Sequence, residues 1–145
     1  MVVRLPYGGT GVSRPKKRVF LSFLAEDKDH VSGLRLLAAH PTYELDFYDE
    51  SVKVPIDSHN ADYVKQQLRD KIARSSVTVC LISERTYTSS WVAWELAESE
   101  RAGNAIIAMA IKGVTQAILP TLIRERKLPF WPWDTSNLSA LIATA

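Results

Sequence analysis

The sequence predicts an α/β fold of three layers, in which a central parallel sheet of four or five strands lies between helices. Three observations carry the prediction. Short β-rich runs alternate with segments whose apolar residues recur at helical spacing. Two runs, Val77–Ser83 and Ala105–Ile111, are almost continuously apolar, as strands covered on both faces are. At 145 residues, 46% hydrophobic and 23% charged, the chain suits one globular domain that buries its own core.

Residues 1–17 hold three of the six glycines and two of the seven prolines without periodicity, and read as a flexible leader to a single domain over 18–145. The patch Gly8-Gly9-Thr10-Gly11 lacks the Lys-Ser/Thr of a phosphate loop and has no strand before it. Arg18–Leu24 is the first strand. Asp27–His40 sets Val31, Leu34, Leu37 and Ala38 on one helical face, and Pro41 stops that helix. Leu45–Tyr48 is a second strand, ending at Asp49-Glu50 before a polar loop with Pro55. Helical spacing returns in Ala61–Ser75 through Val64, Leu68 and Ile72. After the strand Val77–Ser83, Trp91–Ala102 is helical and Gly103-Asn104 closes it. Beyond the strand Ala105–Ile111, Thr115–Lys127 is expected to be helical, broken or started at Pro120. Leu128–Trp133 is too proline-rich for a central strand, and its aromatics Phe130, Trp131 and Trp133 suit a sheet edge. Ser136–Thr144 is a short closing helix.

Right-handed crossovers between such units give the flavodoxin-like strand order 2-1-3-4-5. Ligands of this architecture sit beyond the carboxyl ends of the strands, at the switch point between the first and the third. That places Ser22, Phe23 and Leu24, then Asp49, then Ser83 and the loop running to Trp91, around the expected site.

The charge pattern narrows the function. The net charge of +2 is local: Arg4, Arg14, Lys16, Lys17 and Arg18 precede the first acidic residue, and without them 13 basic residues face 16 acidic ones. A mildly acidic body is the wrong sign for a nucleic-acid reader, and the basic leader reads as a solubilising segment. The longest apolar run, Ala105–Ile111, is too short for a membrane span, and no secretory h-region opens the chain. With one cysteine, Cys80, there is neither an internal disulfide nor a cysteine zinc cage, so a cytoplasmic setting is expected. His30, His40 and His59 have no ligand-like spacing, and no metal site is expected. Ser22 and Ser83 lack the G-x-S-x-G setting of a hydrolase nucleophile, and the third strand does not end on the aspartate of a phospho-accepting receiver.

Glu95 stands out. Trp91 lies one turn before it on the same helix face, with Val92, Trp94 and Leu96 close in sequence, whereas Glu98, Glu100 and Arg101 form a solvated side. A carboxylate against aromatic walls is one way to hold a charge in a water-poor pocket. The alternative is an acid placed near a helix start by the dipole or a capping box. The box fails on spacing, because neither Val92 nor Ala93 is acidic.

RVFLSF with Asp27, the second strand running into Asp49, and SSVTVCLIS followed by Trp91-Val92-Ala93-Trp94-Glu95 and a GN-x-I-I strand resemble the TIR (Toll/interleukin receptor) domain. Within it they resemble the TIR-like subfamily of Thoeris-type bacterial antiphage systems, over about residues 18–112. The resemblance implies an enzyme that cleaves the nicotinamide–ribose bond of NAD+, with Glu95 catalytic. NAD+ is then substrate, not cofactor, and the product is a cyclic or otherwise modified ADP-ribose that activates a separate effector. Trp91 would stack on nicotinamide, Ser22, Phe23 and Ser83 would line the pocket, and Asp49 would open a loop that helps assemble the site between self-associating chains. The loop from Glu50 to Asn60 departs from the receptor pattern. Two other functions stay open: a non-catalytic TIR adaptor working by self-association, and a module that senses a nucleotide without turning it over.

Overall fold

The computed structural model describes residues 17–31, 43–46 and 54–145. Five strands, β1 (Lys17–Ser22), β2 (Tyr43–Asp46), β3 (Val77–Ile82), β4 (Ala105–Ala110) and β5 (Phe130–Trp131), form one sheet in the order β2-β1-β3-β4-β5. All four pairings are parallel, so the predicted 2-1-3-4-5 order is the observed one. Residues 28–31 are helical, and the rest of the helix expected over Asp27–His40 lies outside the described residues. The helices whose full extent is described are α1 (Ala61–Ala73), α2 (Ser90–Arg101), α3 (Thr121–Glu125) and α4 (Thr135–Thr144).

Two-residue alternation along the strands divides the core. Val19, Leu21, Val77, Val79, Leu81, Ile107 and Met109 pack with Val31 and with Leu138 and Ile142 of α4. On the opposite face Phe20 meets Val64, Leu68 and Ile72 of α1, while Cys80, Ile82 and Ala108 meet Val92 and Leu96 of α2 and Ile123 of α3. All six residues of β3 are buried, as its apolar run requires.

Local chemistry sets the boundaries. Lys17, expected in the leader, is already part of β1, and its Nζ donates to the carbonyls of Ile142, Ala143 and Ala145 and so caps the end of α4. The strand stops at Ser22, before Phe23 and Leu24, because the chain enters a single 3₁₀ turn at Ala25–Asp27. Ser89 caps α2, its Oγ accepting from the Val92 N–H at 3.1 Å, and no acidic residue completes a box. At the other end Gly103, at φ +81°, takes the left-handed position of a Schellman turn: Gly103 N bonds to Glu100 O and Asn104 N to Ser99 O. Of the two expectations for Thr115–Lys127, the start at Pro120 is the one observed: α3 begins at Thr121, after Pro120, and a residue preceding proline is disfavoured in the helical region. β5, bracketed by Pro129 and Pro132, adds a two-residue edge to β4.

Beside the first half of β3, Thr78 Oγ1 donates to Ser99 Oγ at 2.7 Å, and Asn104 Nδ2 donates to Thr78 Oγ1 and to the Ile72 carbonyl. These polar groups join β3 to both helices as a neutral network.

Candidate active site

The same face of α2 that buries Val92, Leu96 and Ser99 carries Glu95, so its carboxylate points toward the sheet. It meets the last residue of β1. Ser22 Oγ donates to Glu95 Oε1 at 2.6 Å, with Ser22 fully buried and Glu95 8% exposed. The register sets Cys80 of β3 beside Ser22, and the two side chains share the α2 face of the sheet.

Burial pushes the Glu95 carboxyl from its ordinary 4.5 up to about 8, and the Ser22 hydrogen bond offsets part of that rise. Burial thus favours the protonated carboxyl of Glu95 over its carboxylate near neutral pH. A cationic group brought beside it favours the carboxylate, so ligand binding itself can ionise the residue. The Cys80 thiol is raised strongly by burial and then by the Glu95 charge, and stays an unreactive neutral group.

The loops after β1 and β3 are tied together at the switch point. Ser83 Oγ donates to Asp27 Oδ2 at 2.6 Å, the Thr86 hydroxyl accepts from the Ser83 N–H at 2.7 Å, and Arg85 pairs with Glu26 at 2.9 Å. The Ser83 hydroxyl proton is thus committed to Asp27, a contact that sequence reasoning missed: Ser83 directly follows β3, and Asp27 lies in the turn after the neighbouring β1. Phe23, the residue after β1, packs against the core on the other face of the sheet, so Ser22 and Phe23 lie in opposite layers. Asp49 lies outside the described residues.

Trp91 is half-buried against the α1 cluster. Its indole Nε1 donates to the Val54 carbonyl at 2.8 Å, which fastens the segment entering α1 to the start of α2. Trp94 stands edge-on to it, ring centroids 6.0 Å apart, and carries the Arg69 guanidinium over its face at 5.3 Å.

One expectation fails. Glu98 is not solvated: it is only 8% exposed and pairs with Arg101 Nη1 at 3.0 Å and Arg69 Nε at 3.8 Å. Helix α1 packs against α2 and brings Arg69 over it, which no pattern within α2 could reveal. Glu100 pairs in two-pronged fashion with Arg126 at 2.6 and 2.8 Å. His30 and His59 are exposed, and among the described residues no three His, Cys, Asp or Glu side chains gather to hold a metal. Nor is any helix among them long and apolar enough to cross a membrane.

Residues 20–116 match the family described as "Thoeris protein ThsB, TIR-like domain". The sequence matches no curated protein. Among solved structures the chain is similar to the Clostridium botulinum CMP N-glycosidase BcmB, at 18% identity and a TM-score of 0.57 over 86% of this chain and 98% of that one. It is also similar to the TIR domain of the Toll-related receptor TRR-2 from the lower metazoan Hydra magnipapillata, at 12% identity and a TM-score of 0.57 over 87% and 91% of the two chains. At such identities the likeness shows a shared fold.

Proposed function

The chain belongs to the Thoeris ThsB TIR-like domain family, and on that premise we propose that it cleaves the nicotinamide–ribose bond of NAD+ with Glu95 as the catalytic carboxylate. The observation that carries the reading is the buried Glu95–Ser22 pair at the carboxyl end of β1, where this fold places its ligands. The fold shared with a CMP N-glycosidase is compatible with scission of an N-glycosidic bond.

The positively charged nicotinamide ring, set beside Glu95, favours its ionised form. The C1′–N bond then breaks with its electron pair passing to the ring nitrogen, which leaves nicotinamide neutral and an oxocarbenium-like ribose. The Glu95 carboxylate stabilises that positive charge, in a site where little water competes. Water, or a nucleophilic atom of the same ADP-ribose, then bonds to C1′, and the proton carried by an attacking hydroxyl or water leaves to solvent. The second course retains a cyclic or otherwise modified ADP-ribose, which serves as the signal to a separate antiphage effector. Trp91, one turn before Glu95, forms the aromatic wall of the nicotinamide subsite, and neighbouring TIR-like chains complete the site by self-association in the cytoplasm.

The test is nicotinamide release from NAD+ by the purified chain, with and without extract of phage-infected cells, followed by mass analysis of the nucleotide product. Release that depends on Glu95 is expected. Its absence under both conditions overturns the reading in favour of a self-associating adaptor.

A further inference from the structure

We infer that Ser22 is the positioning residue of the site: its hydroxyl pins Glu95 Oε1 and leaves Oε2 as the oxygen that meets the ligand. The inference rests on the reading of Glu95 as the catalytic carboxylate.

A glutamate carboxylate offers two equivalent oxygens on a side chain of three torsions, so its usefulness depends on what fixes it. Here one oxygen is taken. Ser22 Oγ donates to Oε1 at 2.6 Å across 73 residues of sequence. The donor is itself immobile: Ser22 is fully buried, ends β1, and stands in register with Cys80 of β3. A serine hydroxyl has a single proton to give, and this one goes to Glu95. The other groups around the carboxyl have different engagements. Cys80 faces it from β3 as a neutral thiol, Trp91 gives its N–H to the Val54 carbonyl, and α1 directs Arg69 to Glu98. A bond donated to the ionised form favours that form, so Ser22 also opposes the burial that keeps Glu95 protonated.

Aligning one oxygen and favouring its charge predict a result that packing alone does not. Ser22→Ala removes the hydroxyl, Ser22→Cys keeps the volume with a weak donor, and Ser22→Thr keeps the hydroxyl. The Glu95 carboxyl is followed by NMR titration of the full chain carrying ¹³C-carboxyl glutamate, its signal identified by loss in Glu95→Gln. From a parent midpoint of about 8, Ala and Cys should move it up by roughly one to two pH units, and Thr should return it. Nicotinamide release should follow, the acid limb of kcat moving up in Ala and Cys, with roughly a tenfold or greater fall at pH 7 and little change in KM. An unmoved Glu95 midpoint in Ala and Cys, or a Thr variant as impaired as Ala, overturns the inference. If Ala does not fold, the Cys and Thr pair makes the same comparison. A midpoint that moves as expected in a parent that releases no nicotinamide would sink the NAD+ reading and keep the Ser22–Glu95 coupling. A parent that releases nicotinamide with an acid limb indifferent to Ser22 would do the reverse.

Discussion

Glu95 and Glu98 sit nearly one turn apart on α2, equally buried at 8% exposure, and their surroundings differ in kind. Glu98 lies between two guanidinium groups, Arg101 and Arg69, which are 72% and 46% exposed and keep water on their far sides. Glu95 has a neutral hydroxyl as its hydrogen-bond partner, and among the described residues no cation pairs with it. Burial alone therefore does not set the two acids apart; burial without a compensating charge does, and it is what singles out Glu95 as the candidate. The polar network of Thr78, Ser99 and Asn104 makes the same contrast with neutral groups, because there the buried donors and acceptors satisfy one another.

The largest expected break in the comparison is Glu95→Gln. The amide keeps volume and can accept from Ser22 but carries no charge, so nicotinamide release should fall about a hundredfold or more, equivalent to about 3 kcal/mol. Stability should move the other way. With the folded-state value raised to about 8 from 4.5, the folded protein holds the proton more tightly, so stability falls as pH rises between those values and the whole cost stands above pH 8. Glu95→Gln removes that cost, and its melting curve should match the parent near pH 4 and lie above it at pH 9, by a difference on the order of 2–4 kcal/mol. Melts at the two pH values that differ by the same amount would refute the assignment of that slope to Glu95.

Trp91 tests what keeps water from the carboxyl. Trp91→Ala should cost about 2–3 kcal/mol, less than the roughly 3–5 of a fully buried aromatic, and admit water to Glu95 so that its titration midpoint drops toward 4.5. Trp91→Phe keeps a ring but loses the bond to Val54; about 1 kcal/mol should go, with most nicotinamide release retained. Equal losses of activity in the two variants, both folded, would assign the role of Trp91 to its N–H rather than its ring.

Glu98→Gln should cost about 1 kcal/mol in a denaturant melt, small for a buried ion because both arginines reach solvent. Nicotinamide release per folded molecule should hold, and a fall comparable to that of Glu95→Gln would erase the distinction between the two acids. Glu125→Gln, on the exposed side of α3, sets the baseline and should leave the melting temperature and the rate where they are.

The sequence by itself determined the alternation of strands and helices, the parallel order and the helix face that Glu95 occupies, because periodicity and caps are local and the apolar runs of β3 and β4 admit few placements. It also pointed to the carboxyl ends of β1 and β3 as the candidate site, since handed crossovers leave a crevice there. Tertiary structure alone decided who meets whom. Ser22 reaches Glu95 across 73 residues, Asp27 takes the Ser83 proton across 56, and Lys17 caps α4 across 125 or more. The two glutamates of α2 were separated in the same way. Both belong to one amphipathic helix, and α1, arriving from elsewhere in the chain with Arg69, supplied a cation to Glu98, while β1 offered Glu95 a hydroxyl. A side chain's charge state depends on the groups that packing brings within a few ångströms, and sequence spacing does not encode those groups.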